Sequence, residues 1–200
     1  MTAQFSDIVK YKGIDYRIGG VDGEGLFDPS RYGMKPVAWC SACWHGCNAC
    51  YEVENQKLYL SRLKVCLTDI SMGLKKVRKK RAPVIEGHKA TDISHKEHDL
   101  FEYSYDNMRL LVPFTGGLLL GTDFIEHLHM HAGIQPAWKY RTVHELLFDK
   151  GHLTKASDVS QKIAVFRSKM KNPKMGPWGV ASDEELRAWI RGCLSKDYNL

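Results

Sequence analysis

Residues 49–65 read ACYEVENQKLYLSRLKV. Ala49, Tyr51 and Val53 share one face, Glu54-Asn55-Gln56 breaks the pattern, and Leu58 and Leu60, then Leu63 and Val65, carry the return. Alternation with period two on both sides of a polar turn predicts a β-hairpin. The same signature recurs on either side. Upstream, Ile8, Val9 and Tyr11 lead through Lys12-Gly13 to Ile14, Tyr16 and Ile18, and Gly19, Gly20, Gly23 and Gly25 read as the turns that end this hairpin. Downstream, Tyr103 and Tyr105, residues 108–114, Leu118 to Leu120 and His127 to His131 read as strands. Thr142 to Phe148 and His152-Leu153 flank an Asp149-Lys150-Gly151 turn.

The period then changes. Asp158 with Gln161, followed by Val159, Ile163, Phe166 and Met170, predicts a helix that ends before Pro173. Ser182 with Glu185, and an apolar stripe of Leu186, Trp189, Ile190, Cys193 and Leu194, predict a second. The expected architecture is a single α+β domain over 1–200: a mostly antiparallel, curved β-sheet built from hairpins, with two C-terminal helices. A basic, histidine-rich loop or insertion at about 72–99 interrupts it.

Composition narrows the function classes. Of 200 residues, 44% are apolar and 26% charged, which excludes a disordered or membranous chain. The net charge of +6 equals the number of basic residues in one run, Lys75, Lys76, Arg78, Lys79, Lys80 and Arg81, so the remainder is balanced. That run could attract nucleic acid or an acidic partner through its field, although it holds no aromatic side chain for base stacking. No basic segment followed by an apolar stretch opens the chain, and no apolar run approaches membrane-spanning length. A cytoplasmic protein with reduced thiols is therefore expected.

Four cysteines, Cys40, Cys43, Cys47 and Cys50, fall within eleven residues. Three readings stay open: small packing side chains, ligands for zinc, or a redox pair. For zinc, the two C-x-x-C steps are separated by only three residues, much closer than the knuckles of a zinc ribbon. For redox chemistry, Trp39-Cys40-Ser41-Ala42-Cys43 lacks the preceding apolar strand of a thioredoxin site. His127, His129 and His131, two residues apart, offer an alternative metal ladder if they lie along a strand. Opposite them, Leu128 and Met130 fit an ordinary half-buried face.

Leu26-Phe27-Asp28-Pro29, Tyr32-Gly33, Pro36, Ala42-Cys43-Trp44-His45-Gly46, Tyr51-Glu52-Val53 and Leu58-Tyr59-Leu60 form one group of motifs. Thr115-Gly116-Gly117-Leu118-Leu119, His129-Met130-His131-Ala132-Gly133, Pro136-Ala137-Trp138-Lys139-Tyr140 and Val143-His144-Glu145-Leu146 form another. Together they resemble a family of uncharacterised bacterial proteins over most of the chain outside about 70–100. In that family an arginine is usual where His45 stands, an aromatic where Cys47 stands, and no cysteine where Cys50 stands. The resemblance thus implies that the four-cysteine set is local to this chain, and it implies no activity. Phe27, Tyr32, Trp44, Trp138 and Tyr140, interleaved with Gly and Pro, suit an interaction surface, where aromatics are common anchors.

No catalytic triad, carboxylate pair or phosphate loop is specific enough to indicate an enzyme. The expected function is a non-enzymatic binding or protein-interaction domain with no required cofactor. A zinc-binding protein and a nucleic-acid-associated factor using the 75–81 run are the alternatives.

Overall fold

A computed structural model describes residues 2–38, 40–68, 80–97, 99–131 and 133–170. The described residues form ten strands: β1 Ile8–Tyr11, β2 Ile14–Glu24, β3 Cys47–Glu54, β4 Lys57–Val65, β5 Thr91–Asp92, β6 Tyr103–Tyr105, β7 Leu110–Leu111, β8 Thr115–Phe124, β9 Tyr140–Asp149 and β10 His152–Asp158. One helix, α1 Ser160–Ser168, follows among the described residues. Three predicted hairpins form, each around a two-residue turn with positive φ at both positions: Lys12-Gly13, Asn55-Gln56 and Lys150-Gly151. That geometry matches the right-handed twist of the flanking strands.

The expected curved sheet with two helices is not what forms: the sheet closes on itself, and one helix follows among the described residues. Seven strands in the order β10-β9-β8-β2-β1-β3-β4 return to β10 and close a barrel, with β6 and β7 hydrogen-bonded to β4 and β5 to β6. Neighbours are antiparallel except β1 and β3, which run parallel because the long 25–46 connection brings the chain back to the same end. Closure rests on few backbone bonds: His152 pairs with Lys57, Leu58 N–H donates to Gly151 O at 2.9 Å, and Leu153 N–H to Gln56 O at 2.8 Å. Joining the last strand to β4 removes two open edges that would otherwise present unpaired backbone groups. The helix expected at 182–194 lies outside the described residues.

Inward-facing side chains fill the barrel. Val9, Tyr51, Leu58, Leu60, Leu118 and Phe148 are each at most 1% exposed and belong to one cluster. A second layer covers the outer face of β8 and β9, where Trp138 and Tyr140 pack with Leu119, Val143, Val159 and Ile163. The helix is fixed there as its apolar spacing predicts. Asp158 Oδ1 accepts from Ser160 N–H at 2.9 Å at its start, and Arg167 donates to the carbonyls of Trp138 (2.6 Å) and Tyr140 (2.9 Å) near its end.

Three local expectations are corrected. The glycines at 19, 20 and 23 are not terminating turns but lie inside β2, where the barrel needs close backbone approach. A Cβ at Gly19 would stand 2.7 Å from Ala137 N. His127 to His131 do not form a strand. Asp123, with φ of 57°, bends the chain one residue before β8 ends at Phe124, and Glu126–Leu128 make a 3-10 turn instead. Finally, the described part of the expected loop, residues 80–97, does not simply interrupt the sheet, because β5 pairs with β6, Ile85 and Ile93 are buried, and Tyr105 Oη donates to Pro83 O at 2.7 Å.

Candidate interaction rim and thiol cluster

At the rim where β3 begins and β4 ends, residues 2–6 are tied across two loops, largely by Gln4. Its backbone N–H donates to Gly133 O (2.9 Å), its Nε2 to Ser41 O (2.7 Å), and its Oε1 accepts from Trp44 N–H (2.8 Å). Phe5 N–H donates to Ala42 O at 2.9 Å. The 37–46 loop is folded down onto the end of β4 by Val37 N–H to Cys66 O (2.9 Å) and Cys66 N–H to Gly46 O (2.8 Å). Gly46 permits this approach, since at φ of 66° a Cβ would lie 2.3 Å from Val37 O.

These backbone ties hold large apolar side chains in solvent. Trp44 is 54% exposed, Phe5 42%, Leu100 41% and Ile134 40%; Phe5 belongs to the 2–6 segment, Trp44 is hydrogen-bonded to it, and Leu100 and Ile134 adjoin in the chain Phe101 and Gly133, which contact it. The Phe5 ring rests against Phe101, centroids 6.4 Å apart. Isolated exposed apolar residues are ordinary, but several held around one tied segment are not.

Beneath this rim the cysteines divide. Cys43 and Cys66 are buried with Ile93 and Phe101, and half-buried Cys40 and Val37 pack against them. Cys47 packs on the barrel interior, its thiol feeling those of Cys43 and Cys66, while Cys43 Sγ donates to Cys47 O at 3.4 Å. Cys50 faces the other way, onto the outer surface of β3, where Arg62 Nη2 donates to its sulfur at 3.1 Å. The predicted set is therefore not gathered as written: Cys66 stands where Cys50 was expected. Among the described residues, no three His, Cys, Asp or Glu side chains are arranged to hold a metal ion. Burial pushes the Cys47 and Cys66 thiols up to about 12, and Cys43 and Cys50 in the same direction.

Asp7 pins the tied segment to β3. Its Oδ1 accepts from Ala49 N–H at 2.8 Å and Asn48 Nδ2 at 3.3 Å. Burial raises its carboxyl from the ordinary 3.8 to about 6, although the Ala49 N–H and His45 pull it down. Because the folded value is the higher, the folded state binds more protons between these limits. Stability is then lost as pH rises from about 4 to about 6, by up to about 3 kcal/mol. Asp7→Asn keeps an acceptor for Ala49 but removes the charge. Urea denaturation should show the variant flat over that pH window and more stable than wild type at pH about 7.

The remaining predicted residues are dispersed. His129 and His131 stack edge to face with centroids 4.6 Å apart, but His127 sits on the 3-10 turn, so the three imidazoles are not laid along one face of a strand. Of the basic run, Lys80 and Arg81 are described and exposed, while Lys75, Lys76, Arg78 and Lys79 lie outside the described residues. Phe27 and Tyr32 stack at 5.5 Å and pack, half-buried, on the core. Trp138 and Tyr140, expected on an interaction surface, are each 1% exposed and close the outer layer instead. Only Trp44 of that set is exposed. Phe5, Leu100 and Ile134 were missed because the backbone ties that hold them outward have no signature in side-chain pattern.

A separate groove of about 520 Å³ runs over the outer face of β1, β3 and β4. Its charges cancel, with Lys10, Arg62 and Arg109 facing Asp15, Glu52 and Asp106. Lys10 reaches Glu52 at 3.5 Å, and Arg109 holds Glu54 at 2.8 Å while lying over Tyr59. The groove favours no ligand charge.

The fold and rim thus define a filled, closed β-barrel with apolar side chains displayed at one margin. No family model, curated protein or solved structure matches the chain. No helix among the described residues is long and apolar enough to cross a membrane.

Proposed function

We propose that this protein is a non-enzymatic binding module whose rim around Trp44 docks an acidic partner protein through apolar anchor side chains. The observation that carries the reading is the exposure of Trp44, Phe5, Leu100 and Ile134 around one hydrogen-bonded segment. The barrel interior supports it, being packed with side chains. Charge selects the partner. Lys80 N–H donates to Thr68 Oγ1 (3.3 Å) and Lys80 O accepts from Tyr103 Oη (2.7 Å), so the exposed Lys80 is held just past the end of β4 and beside the start of β6, and Arg81 follows it in the chain. A partner meeting both features carries negative charge and apolar side chains. Protein is favoured over nucleic acid because two of the four anchors, Leu100 and Ile134, offer bases no stacking plane, and the basic run holds no aromatic to add to Trp44 and Phe5.

Fluorescence anisotropy tests this with a labelled Asp/Glu-rich peptide carrying one Trp and one Leu, the same peptide with both anchors changed to Ala, and a labelled DNA duplex. The anchored peptide should bind best, and Trp44→Ala should weaken it about tenfold or more, as for a central aromatic anchor. Trp44 is tied through its backbone N–H, so the substitution leaves the loop bonds in place. Tighter binding of DNA than of the anchored peptide, or affinity unchanged in Trp44→Ala, would overturn the reading.

A further inference from the structure

Cys40 and Cys43 are the first and last residues of one turn and also partners in an isolated antiparallel bridge, with Cys43 N–H donating to Cys40 O at 3.1 Å. Bridge partners hold their Cα atoms about 4.5–5.5 Å apart, within the roughly 4.4–6.8 Å span from which a disulfide closes. Both side chains pack in the same small cluster. Their access to solvent differs: Cys40 is half-buried, whereas Cys43 is 5% exposed. An accessible thiol beside a shielded one is the arrangement of an entry thiol and its resolving partner.

We propose that Cys40 and Cys43 form a reversible dithiol–disulfide pair, oxidised by a low-molecular-weight disulfide, whose state sets the position of Trp44. The Cys40 thiolate attacks one sulfur of the external disulfide. That S–S bond breaks, and the first small thiol leaves as thiolate and takes up the proton Cys40 gave up. The Cys43 thiolate then attacks the Cys40 sulfur of the mixed disulfide, expels the second small thiol, and closes the Cys40–Cys43 bond. Two protein thiols lose two electrons and two protons, and one external disulfide becomes two thiols. Burial holds the Cys43 thiol above its ordinary range, so the closing step should accelerate as pH rises. Trp44 follows Cys43 directly, and its N–H is anchored on Gln4, so bond formation at Cys43 pulls on the residue at the centre of the rim. An effect on partner binding rests on the proposed docking function; the thiol chemistry does not.

The test incubates the folded, full-length protein with oxidised glutathione, alkylates remaining thiols in acid, and maps peptides by mass spectrometry. The wild type should yield a dominant Cys40–Cys43 bond with no glutathione retained. Cys43→Ser should trap one glutathione on Cys40, and Cys40→Ser should leave Cys43 unmodified. Trp emission should shift on oxidation in the wild type and not in Trp44→Phe. Glutathione retained on wild-type Cys40, a dominant bond between other cysteines, or one zinc per purified chain shielding both thiols would overturn the pair. An unchanged emission would overturn the link to Trp44. Because mapping reads the bond directly, it stands or falls independently of whether any acidic peptide binds the rim.

Discussion

Trp138→Ala should destabilise the fold by about 3–5 kcal/mol, the range for deleting a large buried aromatic. Trp138 is 1% exposed, packs near Phe166 with ring centroids 6.2 Å apart, and belongs to the layer with Val143, Val159 and Ile163. Removing it leaves a cavity between the barrel wall and α1. The ties from Arg167 to the Trp138 and Tyr140 carbonyls keep the helix in place and so prevent the cavity from collapsing fully. Small domains are stable by only about 5–15 kcal/mol in total. Guanidinium unfolding monitored by circular dichroism should therefore show a much lower midpoint. A change below about 1 kcal/mol would mean that Trp138 lies at a surface, as its sequence context suggests.

Gly116→Val should be at least as damaging, and for a different reason. Gly23 and Gly116 face each other across β2 and β8, with φ of 154° and 138°. A Cβ on Gly116 would meet Asp22 O at 2.3 Å, and one on Gly23 would meet Thr115 O at 2.3 Å. Both obstacles are backbone, so neither can rotate away. Valine adds a branched side chain to a conformation it rarely adopts, and the expected cost is several kcal/mol, with the soluble folded fraction falling accordingly. Gly13→Ala is the informative control, because a Cβ there meets nothing within 4 Å and the residual cost reports the positive φ alone.

The hairpins were legible in the sequence because alternation and turn chemistry agree over residues 8–18, 49–65 and 142–153. Closure was not, since it depends on backbone groups of Gln56, Leu58, Gly151 and Leu153 that no side-chain pattern announces. The glycines of β2 misled for a related reason: glycine marks both chain breaks and close approaches, and only the neighbouring segment tells which. At the rim, Trp44 was visible as a candidate but Trp138 and Tyr140 looked equally suitable, because aromatics among Gly and Pro serve surfaces and core layers alike. The exchange of Cys50 for Cys66 could have been anticipated. In the alternation of β3, Cys47 shares a face with Ala49 and Tyr51, whereas Cys50 takes the opposite one, so the four cysteines could not converge along a single strand.

Amide chemical shifts followed by nuclear magnetic resonance, as the anchored acidic peptide is titrated into the protein, test the docking account most directly. The largest changes should fall on Phe5, Trp44 and Leu100, and should shrink in Trp44→Ala. Changes centred instead on Cys50, Arg62 and Arg109 would place the binding surface on the outer groove of β3 and β4 and contradict the account.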